Sequence, residues 1–217
     1  MDAKMIKNVM TVEDLHVLAR LRGSVIKDFW DPFLDPRHLT ASGVVINTSA
    51  GPLDIAGETD ELGVWEGDKG WPAEYSRFIL NSTNLGYPNI DPWQEAKKKG
   101  FIYKFHSGEE ILDVQIERMT VSQFHFGEHT WDYETDSAII LVLSGGALAV
   151  CKVGLGTELL RISMGDSLEK LELPQPDSWW DHYDDLEFQF TRKRERFSVS
   201  ELLNTGDGDA VHSSNAE

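Results

Sequence analysis

Two histidines and two carboxylates stand close together in "QFHFGEHTWDYE" (Gln123–Glu134), namely His125, Glu128, His129 and Glu134. Imidazole nitrogens with nearby carboxylates are a donor set for zinc, and a spare carboxylate beside such a metal serves as a general base. The spacing admits two outcomes. In a strand running unbroken through Gly127, His125 and His129 share a face, and Glu134 supplies the third ligand or the base; a turn at Gly127 instead leaves partly exposed histidines in a hairpin. Other patterns carry less chemistry. The His38-Leu39-Thr40 and His212-Ser213-Ser214 triplets resemble the His-x-Ser/Thr pair of some phosphoesterases, but the second lies in a stretch with nothing to hold it in place. Gly145 and Gly146 sit in an apolar hairpin pattern, not between a strand and a helix, so they make no phosphate loop. The one cysteine, Cys151, has apolar neighbours and no adjacent His, which predicts a buried, inert thiol.

A second kind of chemistry is recognition. Trp or Tyr recurs beside carboxylates in "FWDPFLDP", "DPW", "HTWDYE" and "SWWDHYDD". Rigid aromatics provide desolvated anchor area at interfaces, and surrounding carboxylates steer a basic partner and set its register. The residues expected to bind such a partner are Trp179, Trp180, Asp181, Asp184 and Asp185, joined by Trp131, Tyr133 and Trp93. Two adjacent Trp residues in an extended connection cannot both face a core, so at least one of Trp179 and Trp180 is expected at the surface.

The charge balance points the same way. In 217 residues, Lys and Arg number 20 against 37 Asp and Glu, a net of -17. Such a chain repels nucleic-acid phosphate and anionic lipid and favours a basic protein partner. The run "TRKRER" (Thr191–Arg196) is therefore read as a solvated face or an intramolecular partner for "DHYDD" (Asp181–Asp185), not as a nucleic-acid contact. One cysteine excludes an intrachain disulfide and fits a reducing compartment. With no apolar run long enough for a signal peptide or a membrane span, the expected location is the cytoplasm.

These residues have to be positioned by a mainly β chain. Thr11, with Asp14 three residues on, caps an amphipathic N-terminal helix whose stripe is Val12, Leu15, Leu18, Leu21, Val25 and Phe29. Beyond Trp30 the apolar runs are short, β-branched or aromatic, and separated by Gly, Asp, Asn or Pro: 44–47, 53–56, 77–80, 101–105, 111–119, 138–143, 147–153, 158–162 and 186–190. Short helices are expected at Pro92–Lys99 and near Ser198–Leu203. The resulting organisation is a helical segment 1–30, a first β-unit 31–105, a second β-unit 106–203 and a disordered tail 204–217.

The two units share a pattern. "TASGVVINTSAGPLDI" (Thr40–Ile55) aligns without a gap on "TDSAIILVLSGGALAV" (Thr135–Val150), and a Gly-Asp pair follows each, at Gly67–Asp68 and Gly165–Asp166. In the second copy, "VLSGGALAV" followed by "TELLRISMGDSLEKL" resembles the cupin family of small β-barrels. The resemblance implies two similar sandwich or barrel units, a bicupin-like fold. Metal-dependent cupins carry His and Glu ligands at positions that here hold Trp131, Tyr133, Ala138 and Leu168, none of them a ligand for a divalent metal. No cofactor is expected there. The function implied is a non-catalytic acidic binding protein that occludes a basic partner, as immunity proteins and inhibitors do with toxins or nucleases. The alternative is a cupin-like enzyme or sensor for a small ligand or a metal, using His125, His129 and Glu134.

Overall fold

Eleven strands and two helices make up the described part of the chain, residues 3–31, 34–61, 74–81, 101–176 and 188–205 of the computed structural model. In chain order they are β1 (Lys4–Asn8), α1 (Val12–Ala19), β2 (Val25–Asp31), β3 (Thr40–Ala41), β4 (Gly43–Thr48), β5 (Gly51–Glu61), β6 (Glu74–Asn81), β7 (Phe101–His125), β8 (Glu128–Leu143), β9 (Gly146–Lys152), β10 (Leu160–Gly165), β11 (Phe188–Ser198) and α2 (Val199–Thr205). The fold is mainly β, as the short apolar runs predict.

The strands form one open, mainly antiparallel sheet, ordered β3-β10-β9-β8-β7-β2-β4-β5-β6. The long strand β7 is its spine. Its first half pairs with β2, and its second half lies between β8 and β11. β1 continues the free edge of β8 in parallel, Ile6 opposite Tyr133. The hairpins β4–β5 and β8–β9 realise the two aligned segments as strand, tight turn and strand. They stand at corresponding places on either side of the β7–β2 pair. Their matched glycines nevertheless do different work. Gly51 takes a left-handed φ of 116° in open space, whereas a Cβ on Gly146 would lie 2.5 Å from the Gly165 carbonyl oxygen. The Gly146 and Gly165 spacing is thus a close backbone approach within β9–β10.

The N-terminal helix is shorter than its stripe predicts. Thr11 and Asp14 do form a reciprocal capping box, but α1 ends at Ala19, and Val25–Asp31 is a strand instead of a continuation. Gly23, at φ 79°, breaks the helix, and the β-branched pair Val25 and Ile26 enters the sheet between β4 and β7. Leu15, Leu18 and Leu21 still face the core. That core is one cluster running from Met10 to Leu202, with Ile46, Leu53 and Ile55 from 31–105 packed among Ile116, Ile139 and Leu141 from 106–203. β11 also runs further than the expected 186–190, because the alternating charged run Thr191–Arg196 keeps the extended pairing with β7. α2 matches the helix expected near Ser198–Leu203, while the helix expected at Pro92–Lys99 lies outside the described residues, as does the tail beyond Thr205.

Open by its ladders, the sheet still curls until its far strands meet. Gly57 on β5 lies against the backbone of Glu158 in the β9–β10 loop, and Ser76 N–H on β6 donates to Leu155 O at 2.7 Å. At the first contact a Cβ on Gly57 would lie 2.1 Å from the Glu158 carbonyl oxygen, so only glycine lets β5 pass under the β9–β10 loop. Gly57→Ala should therefore cost about 3 kcal/mol in urea unfolding, since the obstacle is backbone and cannot swing away. An unchanged midpoint would show that the two ends of the sheet are not held together here.

Candidate functional site

The sequence reading places chemistry in three regions, and the structure separates them. The first is the ligand positions of the cupin-like frame. Trp131, Tyr133 and Ala138 do share one face of β8, through their pairing with Gln123, Val121 and Glu117. They stay in phase because a bulge at Ser137 shifts the alternation by one. All three are buried, and Trp131 and Tyr133 pack with Ile6, Tyr75, Met119, Val121 and Leu155. Trp131 and Tyr133 are thus core residues at 2% and 0% exposure, and this corrects their expected place on a partner-binding face. An aromatic beside a carboxylate in sequence faces the opposite side of a strand from it, and here the aromatic side is the inner one.

A buried polar hub adjoins this face. Arg118 Nε donates to Asp136 Oδ1 at 2.8 Å, and Asp136 Oδ2 accepts the Met10 N–H at 2.7 Å. Glu134 lies 3.6 Å from Arg118 and 3.3 Å from Lys7. Lys152, 1% exposed, donates to Ser76 O at 2.7 Å and Thr135 Oγ1 at 2.9 Å, with its ammonium 5.1 Å from the Phe78 ring centre. Burial holds the Lys152 ammonium down to about 7, against the opposing pull of Asp136. A near-neutral amine is a nucleophile in principle. This one is enclosed and already bonded to the groups that join β6, β8 and β9, so its role is structural.

The second region is the His125, His129 and Glu134 set. Gly127 does end the strand: Phe126 and Gly127 have φ values of 48° and 81°, the two positive angles of a type I′ hairpin, and His125 pairs with Glu128 across it. A second β8 bulge, at Thr130, sets His129 opposite Phe124. His125 and His129 consequently point to opposite faces. His129 Nε2 lies 2.9 Å from Asp132 Oδ1 and its ring stacks on Phe124, while His125 stacks on Phe188. Glu134 belongs to the hub. The three do not converge, and among the described residues no group of three His, Cys, Asp or Glu side chains is placed to hold a metal. Cys151 is buried at 1% exposure, and its thiol is pushed up to about 12 by burial.

The third region is the acidic and aromatic stretch. Trp179, Trp180, Asp181, Asp184, Asp185 and Trp93 lie outside the described residues. Further along the chain Phe188 opens β11, and its ring stacks on His125 at 4.6 Å, while His125 lies 4.7 Å from the Phe126 ring. Phe126 is 72% exposed. Sequence reasoning passed over it because a lone Phe gives no signal until the turn type is known. In a position that favours Asn or Gly, its left-handed backbone costs stability that its exposed ring does not return.

Two measurements follow from this geometry. With an ordinary Lys value of 10.5 in the unfolded chain and about 7 in the fold, the unfolded state binds more protons between those limits, so Lys152 makes stability rise with pH there. The stability of the native protein relative to Lys152→Met should accordingly grow by about 3 kcal/mol from pH 7 to pH 10, and a flat difference would contradict the buried cation. At the turn, Phe126→Asn should raise stability by about 1 kcal/mol in thermal or urea unfolding, whereas a loss would mean that the Phe ring supports the fold.

Compared with known proteins, the chain matches no protein-family model, no curated protein and no solved structure.

Proposed function

We propose that the protein is a non-catalytic acidic binding protein that neutralises a basic protein partner, in the manner of an immunity protein or inhibitor directed at a bacterial toxin or nuclease in the cytoplasm. The observation that carries this reading is the aromatic corner at the β7–β8 turn, where the exposed Phe126 lies 4.7 Å from the ring of His125 and His125 stacks on Phe188 at 4.6 Å. Carboxylates spread over a chain of net charge -17 give long-range steering toward a positive cleft, and the aromatics give the short-range anchor.

Trp131 and Tyr133 drop out of the expected face because they are buried. The enzyme or sensor alternative has nothing comparable behind it, since His125, His129 and Glu134 point to different neighbours. Descent from one β-unit used twice, the bicupin-like reading, remains part of the proposal, supported by the aligned hairpins on either side of the β7–β2 pair.

The test is isolation of the untagged protein with the product of the neighbouring gene, followed by kinetics on the pair. Asp184→Lys with Asp185→Lys should slow association and flatten its salt dependence, while Trp180→Ala should mainly speed dissociation, by about 2 kcal/mol for a central anchor. Unchanged rates at low salt would remove this face. A small molecule held stoichiometrically by the purified protein, with no protein partner, would overturn the binding-protein reading.

A further inference from the structure

The β7–β8 turn combines three features that the fold does not need. Phe126 is 72% exposed, its backbone sits in the left-handed region, and its ring continues a short aromatic ladder through His125 to Phe188 at centre distances of 4.7 and 4.6 Å. The side chain is held at the tip of a ladder, not folded back onto the protein. Directly across the turn, opposite His125, stands the exposed carboxylate of Glu128. A flat aromatic surface beside a carboxylate matches a guanidinium, which stacks on a ring face through its plane and bonds a carboxylate through its edge. An ammonium uses only the charge.

Resting on the binding-protein reading above, we propose that this turn is an arginine-recognising tip, with Phe126 as the stacking surface and Glu128 as the carboxylate, and that it docks on an arginine displayed by the basic partner. Charge complementarity selects that occupant: the tip belongs to a chain of net charge -17, and Lys or Arg is absent from the whole segment Thr120–Ser137. An apolar pocket on a neutral partner would leave Glu128 desolvated and unpaired. The strained turn is then retained for what it presents. Asn or Gly would build the same turn at lower cost but without a ring.

The probe is a blocked peptide with three arginines separated by glycines, titrated into the full-length protein and followed by backbone amide shifts. Its citrulline counterpart keeps the shape and removes the charge, and its lysine counterpart keeps the charge and removes the plane. The shifts should centre on Phe126–His129, with affinity for the arginine peptide at least threefold above lysine and tenfold above citrulline. Phe126→Asn, which keeps the turn, and Glu128→Gln should each weaken arginine binding at least threefold. Equal binding of the lysine peptide, shifts spread over the acidic surface without a centre, or Phe126→Asn binding as well as the native protein would each overturn the tip. A cognate complex indifferent to Phe126→Asn but sensitive to the Asp184 and Asp185 reversals would overturn the tip while leaving the binding-protein reading in place. Loss of both sensitivities would remove that reading too.

Discussion

The Ser76 carbonyl is where the two ends of the sheet are joined. It accepts from Lys152 Nζ on β9 and from Asn8 Nδ2 at the end of β1, while its own N–H and hydroxyl donate to Leu155 O and Gly154 O. β1, β6, β9 and the β9–β10 loop are pinned at this one residue, although no ladder pairs β6 directly with β1 or β9. The buried Lys152 amine ties these elements together, because displacing its acceptors leaves a polar group without hydrogen bonds in a low-dielectric site. Asp136 extends the constraint to the N-terminal segment by accepting the Met10 N–H while holding Arg118. α1 is thereby set over the core, with Leu15 and Leu18 fully buried.

The bulge at Ser137 decides which residues can take part. One extra residue in β8 puts Asp136 on the face opposite Ala138, so the same strand supplies a charged hub on one side and an apolar surface on the other. The bulge is satisfied locally, with Ser137 Oγ donating to Glu117 O at 3.0 Å. Glu117, 4% exposed, also receives Arg194 at 3.3 Å and Arg196 at 3.5 Å from β11. The β8 positions that would hold metal in a ligand-bearing barrel, Trp131, Tyr133 and Ala138, are packed in apolar clusters, and the polar groups near them serve closure of the sheet.

β11 shows how a basic run lives in an acidic protein. Among the described residues it pairs with β7 alone, so one backbone edge has no described strand beside it. Arg192, Arg194 and Arg196 share one face, and an antiparallel self-pairing centred on Arg194 would oppose Arg with Arg at every one of them. Like charges opposite one another discourage edge-to-edge association of two copies. The turn at Phe126 is built on the opposite logic. It holds a non-glycine residue in the left-handed region and leaves an aromatic ring exposed, two features that the proposed docking at this turn would account for.

Legibility in the sequence followed the range of the physics involved. The β-rich class, the two hairpins, the α1 capping box, the terminal helix and the burial of Cys151 were readable because strand alternation, turn residues and cap spacing act within a few neighbours. The end of α1 was misjudged because Val25 and Phe29 fit a helical stripe as well as a strand, and only pairing with β4 and β7 decides between them. The aromatic-acidic motif marked Trp131 and Tyr133 for a surface, yet which side of β8 faces inward depends on β6 and β1 packing against it. Lys152 and Ser76, 76 positions apart, show nothing in the sequence of the bond that holds the ends of the sheet. Composition settled the sign of the protein's field, and local pattern settled most of its strands. Which charges were buried, which faces were inner and which ring was left in water were decided by tertiary structure alone, because desolvation depends on everything packed around a group and not on its neighbours along the chain.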